Sequence, residues 1–300
     1  MKVNLSHPHS HLYCFLGILF WSTLELAGKF LGPEVSPYAI TAWRFLIGGL
    51  VLLPFALIQP RPRNRRPRLA DLALMAFLGV LIVCLSMLLL QLSILYGKAS
   101  LSAVLVSSNP LFVSVFAFFL LREKLNLTQI LGLFAGLAGI ALLIAGEGEL
   151  GSSRYLNLPL SIALALAAAL VFGLYAVLTK RSVARHGNIL TNSVSFLGGA
   201  VLLFIFNALT GQPLLLDLDW KTALIMLYLG VIVSGVAYVY FFEGMKKLGA
   251  NTASLYFFLK PVIASLLAVL ILRERLSLLQ VLAILVIIFG LTVSRVMKRA

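Results

Sequence analysis

Residues 109–125 read NPLFVSVFAFFLLREKL, and residues 260–276 read KPVIASLLAVLILRERL. Both stretches have proline second, serine sixth and Leu-Arg-Glu near the end, and they lie 151 positions apart. The same offset, without a gap, pairs Trp21 with Phe172, Lys29 with Lys180, Ala99 with Ala250 and Gln129 with Gln280. One offset along the whole chain indicates two structural copies in one polypeptide. We therefore expect a first repeat over residues 1–149 and a second repeat over residues 150–300.

The composition is that of a membrane protein. Hydrophobic residues make up 61% of the chain and charged residues only 11%, and the mean hydropathy is +1.04. A soluble domain carries roughly 25% charged residues, so this chain has too few to cover a soluble surface. The formal net charge of +14 could suit nucleic acid, but the basic residues cluster at the ends of apolar stretches. We therefore expect a lipid bilayer around the chain and no nucleic acid partner.

Ten stretches are long and apolar enough to cross a bilayer, which takes about 20 residues of helix. They cover residues 12–30, 38–58, 70–93, 99–121, 126–145, 157–179, 190–209, 220–243, 250–272 and 277–296. Each copy then has five spans, and because five is odd the second copy enters the membrane from the opposite side. The sequence predicts an all-α integral membrane protein whose ten transmembrane helices form two inverted five-helix repeats.

The distribution of basic residues predicts the orientation. The connector between the second and third spans holds five arginines, which are Arg61, Arg63, Arg65, Arg66 and Arg68. Short connectors rich in lysine and arginine stay in the cytoplasm. Because the number of spans is even, both termini lie on the same side as this connector. We therefore expect both termini to be cytoplasmic.

Three charged residues lie in predicted spans well away from the span ends. A charge inside the membrane costs between about 2.5 kcal/mol and more than 10 kcal/mol. Lys260 is near mid-membrane, and it either contacts an anionic substrate or forms a structural ion pair with another helix. Arg44 either extends to the outer interface or faces inward, where its planar guanidinium suits a carboxylate or phosphate. Glu25 either pairs with Lys29 one helical turn later or faces the cavity. There it would balance one of the two cations or hold a substrate amine.

Two prolines occupy equivalent positions inside predicted spans. Pro110 follows Asn109, and Pro261 follows Lys260. A proline inside a helix removes a backbone hydrogen bond and kinks the chain, and irregular backbone at membrane depth is tolerated where it lines a cavity. We expect both kinks to present the preceding polar residue to one central pocket. The residues selected for substrate binding are Lys260, Glu25, Arg44, Asn109, Trp21 and Tyr256, the last two as aromatic contributors.

Motifs of enzyme chemistry are absent from the sequence. It contains no HExxH, GxSxG or Walker pattern. Its two cysteines, Cys14 and Cys84, lie in separate apolar stretches without the spacing of metal ligands. We therefore expect neither an enzyme nor a cofactor nor a metal site.

The repeated stretches resemble EamA-type carriers of the drug/metabolite transporter superfamily. The resemblance rests on residues 109–112 with 121–125, on their copies 260–262 with 272–276, and on residues 20–23 and 44–46. It covers nearly the whole chain and implies a ten-helix fold of two EamA repeats. It also implies transport of a small metabolite, often as export, in a bacterial inner membrane. It implies no particular substrate, because the family handles amino acids, drugs, nucleosides and sugar derivatives. Many members have an uncharged or acidic residue where this chain has Lys260, so the substrate of a relative does not transfer to this chain.

These expectations combine into a secondary transporter that exports a small polar metabolite bearing a carboxylate, by alternating access of the two halves. Lys260, together with Arg44, would hold the anionic group. Glu25 would balance charge or hold an amine, which makes an amino acid the best single guess, and protons are the candidate coupling ion. Two alternatives stay open: an exporter of amphiphilic cationic drugs that holds the cation at Glu25, and a non-transporting membrane scaffold whose charges are structural pairs.

Overall fold

The computed structural model of the protein describes residues 8–31, 35–59, 67–97, 99–146, 156–213, 215–216, 219–272 and 277–296. Their regular structure is entirely helical and forms ten successive segments, named spans 1 to 10 here. Span 1 is Pro8–Trp21 with Leu24–Leu31, span 2 is Pro37–Ile58, span 3 is Leu69–Tyr96, span 4 is Ala99–Val106 with Asn109–Phe116 and Ala117–Leu121, and span 5 is Leu127–Gly146. Span 6 is Leu158–His186, span 7 is Asn188–Thr210, span 8 is Trp220–Leu248, span 9 is Ala250–Ser254 with Leu255–Phe258 and Leu259–Leu272, and span 10 is Leu278–Val296. The predicted boundary between the repeats, at residues 149 and 150, lies outside the described residues.

The ten segments agree with the predicted ten-helix fold. Eight of the described spans contain a helix long and apolar enough to cross a membrane. Span 10 holds a shorter apolar stretch, Leu278–Thr292. Span 1 is interrupted at Ser22 and Thr23, whose hydroxyl groups donate to the carbonyls of Ile18 and Phe20, both at 2.7 Å. Such side-chain bonds compete with the helical backbone pattern and favour a break.

Span 6 continues beyond its predicted end near residue 179. Its last turn carries Arg185 and His186, and cations are stabilised by the partial negative charge at the carboxyl end of a helix. Gly187 ends the helix with a φ of 91°, a conformation that glycine adopts without steric cost. The capping residues therefore place the end of span 6, which an estimate from apolar length alone misses.

Two close contacts between the repeats obey the 151-residue offset. A Cβ atom on Gly48 in span 2 would lie 2.9 Å from the carbonyl oxygen of Gly230 in span 8. A Cβ atom on Gly199 in span 7 would lie 2.4 Å from the carbonyl oxygen of Gly79 in span 3. Gly48 is equivalent to Gly199 and Gly79 to Gly230, so each contact is the image of the other. This is the pseudo-two-fold symmetry of an inverted repeat, held together where small residues let backbones approach.

The larger helix pairs follow the same symmetry. Span 1 packs on span 8, and the equivalent span 6 packs on span 3. Span 2 packs on span 7, and span 5 packs on span 10, so each of these pairs maps onto itself. Spans 5 and 10, with parts of spans 4 and 9, form an apolar cluster separate from the main core.

Spans 5 and 10 begin with the same capping arrangement. The backbone N–H of Asn126 donates to Gln129 Oε1 at 3.0 Å, and the N–H of Gln129 donates to Asn126 Oδ1 at 2.8 Å. The N–H of Ser277 donates to Gln280 Oε1 at 2.8 Å, and the N–H of Gln280 donates to Ser277 Oγ at 3.2 Å. These reciprocal bonds are capping boxes, and they fix the start of the fifth helix in each repeat.

Spans 4 and 9 are irregular just before their prolines. In span 4 the helix breaks at Ser107 and Ser108, whose hydroxyl groups donate to the carbonyls of Ala103 (2.8 Å) and Leu105 (2.7 Å). Pro110 then lies in the first turn of the next helix, where its missing N–H leaves no bond unmade. In span 9 the helix tightens to a 3-10 conformation over Leu255–Phe258, just before Lys260 and Pro261.

One end of the bundle carries many of the described basic residues. It is the end where spans 4, 6 and 8 finish and spans 3 and 9 begin. There the His186 ring at the end of span 6 lies 3.4 Å from the Asp71 carboxylate at the start of span 3. We call this end, which carries Arg68, Lys180 and Lys246, the basic end.

Candidate functional site

A narrow cavity lies between the two repeats, and seven spans contribute to its wall. It contains about 360 Å³ of space not filled by atoms. Eight of its described lining residues form four pairs related by the 151-residue offset, which are Trp21 with Phe172, Met87 with Tyr238, Val106 with Phe257, and Asn109 with Lys260. The others are Leu24, Arg44, Leu90 and Val233. The pseudo-two-fold axis therefore passes through this cavity.

The cavity brings together three of the polar residues selected from the sequence. Arg44 is 2% exposed, Asn109 is 0% exposed and Lys260 is 3% exposed. The Arg44 guanidinium carbon lies 4.6 Å from the centroid of the Phe45 ring, a distance at which the ring face attracts a cation. No carboxylate is among the described residues that line the cavity. These residues therefore give the wall a positive character that favours an anionic ligand.

Asn109 has an unusual environment for a buried amide. Both its Nδ2 and its Oδ1 are buried and have no hydrogen-bond partner among the described residues. A buried polar group without a partner costs about 1–3 kcal/mol, and native structures contain few of them. Asn192, also fully buried, instead donates to the carbonyl of Asn188 at 3.1 Å and to its Oδ1 at 2.6 Å. The Asn109 amide is therefore available to a ligand as both donor and acceptor.

Aromatic rings form the remaining wall. The Trp21 ring centroid lies 4.6 Å from that of Tyr238 and 5.4 Å from that of Phe257. The Trp21 Nε1 donates to the carbonyl of Val233 at 3.1 Å, which fixes the orientation of the indole. Phe172 meets both Trp21 (5.9 Å) and Phe257 (5.0 Å). A small ligand would therefore lie between fixed aromatic faces, with Arg44, Lys260 and the Asn109 amide as its polar contacts.

Tyr256, also selected from the sequence, is not among the described residues that line the cavity. Tyr256 is 1% exposed, and its hydroxyl lies 2.7 Å from His11 Nδ1, toward the basic end. Its neighbour Phe257 lines the cavity instead. Glu25 belongs to span 1 next to Leu24, which lines the cavity, but its side chain lies outside the described residues.

Sequence reasoning did not select Phe172, Tyr238 or Phe257. The signal that could have found Phe172 is the offset itself, since Phe172 is the image of Trp21. Tyr238 and Phe257 are the images of Met87 and Val106, which have no polar or aromatic character of their own. The internal offset therefore finds Tyr238 and Phe257 only if the equivalent of every candidate cavity residue is also considered as a cavity residue.

A second, wider cavity opens at the basic end and contains about 910 Å³ of unfilled space. Spans 1, 2, 6, 7 and 8 line it, with Gln59, His186 and Glu243 among its polar residues. Tyr13 and Tyr240 stack within it, with ring centroids 5.6 Å apart. Its wall is more polar than that of the central cavity, as expected for a surface that water reaches.

Comparison with known proteins agrees with this architecture. The profile of the EamA-like transporter family matches residues 9–145 and again residues 159–296. An uncharacterized transporter of Clostridium kluyveri is 34% identical over 286 residues, which cover 93% of this chain and 91% of that protein. The uncharacterized transporter YyaM of Bacillus subtilis is 24% identical and covers 97% of this chain and 95% of its own length. A chloroplastic WAT1-related protein of Arabidopsis thaliana is 28% identical over 87% of this chain and 63% of its own length.

A solved crystal structure shares the fold. It superposes with a TM-score of 0.77 over 95% of this chain and 97% of its own, at 23% sequence identity. The family profile matches the chain twice, once in each half, as expected from the internal offset. The two matches, the full-length relatives and the helical bundle lead to one conclusion: the chain belongs to the EamA-like transporter family and is a multi-pass membrane transporter.

Proposed function

We propose that this transporter is a secondary carrier that exports a small polar metabolite bearing a carboxylate, with an amino acid as the best single candidate. The observation that carries the proposal is the meeting of Arg44, Asn109 and Lys260 in one buried cavity between the repeats. Arginine and lysine both form strong charge-assisted hydrogen bonds with carboxylates. A cavity on the pseudo-axis of an inverted repeat is also where secondary transporters hold their substrates.

Each polar residue has a distinct proposed role. Lys260 and Arg44 hold the carboxylate, the lysine as a compact charge and the arginine as a planar donor. Asn109 donates to the substrate through Nδ2 and accepts from it through Oδ1, since neither atom has a partner among the described residues. Trp21 packs against the body of the substrate. Glu25, one residue beyond Leu24, balances charge or holds an amine. Tyr256 supports the aromatic wall from behind, next to Phe257.

Transport then proceeds by alternating access, with the two repeats moving around a fixed site. The proline-associated irregularities at Pro110 and Pro261 lie beside the site in spans 4 and 9, where a bend moves the cavity wall directly. We assign the basic end to the cytoplasm of a bacterial inner membrane, with both termini on that side, because connectors rich in lysine and arginine stay there. Protons are the coupling ion we favour.

The cavity argues against the two alternatives. An amphiphilic cation would enter a cavity whose described wall contains two cations and no carboxylate. A scaffold without transport would have no use for the buried Asn109 amide, whose donor and acceptor have no partner among the described residues, an arrangement that costs about 1–3 kcal/mol.

Transport by the purified protein in liposomes tests the proposal. The vesicles are loaded with one compound at a time from three matched groups: amino acids, simple organic acids, and quaternary ammonium drugs. We expect counterflow of a labelled carboxylate from the first two groups and none of the third. Counterflow of cationic drugs alone, or of no compound in a panel that covers these groups, contradicts the proposal.

A further inference from the structure

One carboxylate joins three helical segments at the basic end. Glu123 lies in the connector between spans 4 and 5 of the first repeat. It accepts a hydrogen bond from Lys180 Nζ in the last part of span 6, with which it also forms an ion pair. It accepts a second bond from the backbone N–H of Ala250, the first residue of span 9, at 2.9 Å. Both donors belong to the second repeat, so Glu123 ties the two repeats together.

Neighbouring contacts support the same junction. Arg181, next to Lys180, donates to the carbonyl of Leu120 near the end of span 4. Gln129 Nε2 at the start of span 5 donates to Thr252 Oγ1 in span 9 at 3.0 Å. The side chains of Lys180 and Glu123 are only 19% and 24% exposed, so water screens their attraction less than that of a pair on an open surface.

The start of span 9 depends on this contact from the other repeat. The first N–H groups of a helix lack partners inside the helix, and a carboxylate there is also stabilised by the helix dipole. Span 9 is preceded by Gly249, which has a φ of 88° and no side chain to cap the helix. A Cβ atom at Gly249 would lie 3.3 Å from Glu123 Oε2, so the glycine leaves room for the carboxylate.

Spans 5 and 8, by contrast, begin with side-chain caps from their own segment. The Asp219 carboxylate accepts from the N–H of Thr222 at the start of span 8, at 2.8 Å, and Asn126 and Gln129 cap span 5. A local cap moves with its helix and stays intact when the repeats move apart. The bond between Glu123 and Ala250 breaks when the repeats move apart, because its two partners belong to different repeats.

Span 9 carries Phe257 and Lys260 into the central cavity, and span 4 carries Asn109. The junction at Glu123 therefore fixes the position of two cavity walls relative to each other. Building on the alternating access of the proposed function, we propose that Glu123 is a positioning residue for the transport step. Its carboxylate locks the repeats together at the basic end, and the cavity opens to that end when Lys180 and Ala250 release it.

The test measures access to the cavity from each side of the membrane, without any substrate. Met87, an apolar lining residue, is replaced by cysteine in a protein that also carries Cys14→Ala and Cys84→Ala. A membrane-impermeant, negatively charged thiosulfonate is applied to oriented vesicles from either side, and labelling is compared with the total after denaturation. A separate Lys246→Cys protein identifies the side on which the basic end lies.

Glu123→Gln removes the ion pair but keeps an oxygen that accepts from Ala250. We expect it to raise the labelling rate of the reporter from the basic side about ten-fold, because weakening one charge-assisted hydrogen bond shifts the opening equilibrium by about that factor. Lys180→Met should act in the same direction. Glu243→Gln is the matched control, because Glu243 lies at the same end and pairs within span 8 with Lys246, at 3.6 Å. It should leave the labelling rate unchanged.

Two results overturn the proposal. One is a folded Glu123→Gln protein, with the melting temperature of the parent, whose reporter labels at the parent rate from the basic side. The other is an equal rise from both sides, which indicates general loosening of the bundle. The outcome is separate from the substrate assignment. If Glu123→Gln changes the labelling rate but the protein transports no carboxylate, the role of Glu123 stands and the proposed substrate is wrong. If the protein transports a carboxylate but Glu123→Gln leaves the labelling rate unchanged, the proposed substrate stands and the role of Glu123 is wrong.

Discussion

The two repeats share their packing contacts but differ in the wall that each gives to the cavity. Gly48 and Gly199 are equivalent, as are Gly79 and Gly230, and all four are glycines at close backbone contacts. The four pairs that line the cavity differ in every case, and they are Trp21 with Phe172, Met87 with Tyr238, Val106 with Phe257, and Asn109 with Lys260.

This difference separates what symmetry requires from what a ligand requires. A close contact between repeats occurs twice, so a larger residue would clash at either copy. The cavity occurs once, on the axis, where the two walls face each other, so each wall can change alone. The cations illustrate this, since Lys260 corresponds to Asn109 in the first repeat and Arg44 corresponds to Ser195 in the second. Such an uneven wall suits a ligand with one charged end.

The largest effect is expected where the shared packing is broken. In Gly199→Ala the new Cβ would lie 2.4 Å from the carbonyl oxygen of Gly79, and backbone atoms cannot rotate away. Overpacking typically costs 1–3 kcal/mol and sometimes more, so we expect a loss of about 3 kcal/mol or more in the free energy of unfolding. The yield of monodisperse protein and its melting temperature measure this loss.

Gly198→Ala is the matched control for that substitution. Its Cβ would lie 3.2 Å from Ala76, a contact that a small shift relieves, so we expect a much smaller change. If both alanine variants melt together with the parent, the close contact between spans 3 and 7 does not limit stability, and the proposed role of the repeated glycines fails.

Lys260→Met tests the wall of the second repeat. The substitution keeps much of the length of the side chain and removes its charge. If Lys260 holds the carboxylate, the protein stays folded and loses a charge-assisted bond of about 1.5–3 kcal/mol, which lowers substrate affinity about ten- to a hundred-fold. Lys246→Met, at the exposed basic end, should leave affinity unchanged. Transport and melting temperature are measured together.

The same variant can reveal a purely structural lysine. A stranded partner charge would destabilise the protein by about 3–5 kcal/mol, so the folded yield would fall instead of the affinity. Recovery of that yield by adding Glu25→Gln would identify a Glu25–Lys260 ion pair. A Lys260→Met protein that folds and transports like the parent refutes the central assignment.

Asn109→Leu tests the wall of the first repeat, and its expected sign is unusual. Leucine has nearly the same shape and removes two buried polar atoms without partners among the described residues. We expect the free energy of unfolding to increase by about 1–3 kcal/mol, so the melting temperature rises. Substrate affinity should fall. Asn192→Leu removes a buried amide that does have partners, so it should lower the melting temperature. A lower melting temperature for both variants would mean that the Asn109 amide is satisfied in the protein.

The sequence predicts the fold and the meeting of Asn109 with Lys260 for one reason. The pseudo-two-fold axis relates equivalent positions, so if the irregular backbone beside one proline presents its preceding residue to the centre, its image presents the equivalent residue to the same centre. The sequence does not determine which face of span 2 carries Arg44, because apolar residues surround Arg44 on every side of that helix. Its place in the cavity follows from the packing of span 2 on spans 7 and 8.

The choice between Tyr256 and Phe257 shows a second limit. Successive residues of an α-helix point about 100° apart, and the 3-10 conformation of Leu255–Phe258 changes this angle. Counting from Lys260 with α-helical geometry therefore misjudges which ring faces the cavity. The bond between Tyr256 and His11 connects residues 245 positions apart, and the internal offset predicts no such contact.

The smallest effect is expected from Trp21→Phe, which makes the first repeat match Phe172 of the second. The aromatic face is kept, so contacts with Tyr238 and Phe257 survive in part. The lost interaction is the bond from Trp21 Nε1 to the carbonyl of Val233, worth about 0.5–1.5 kcal/mol. We expect a slightly lower melting temperature and a change in substrate affinity of less than about ten-fold, because the indole N–H is already bonded to the protein. An affinity loss as large as that of Lys260→Met would mean that the indole N–H turns toward the substrate, and that the aromatic wall also takes part in polar recognition.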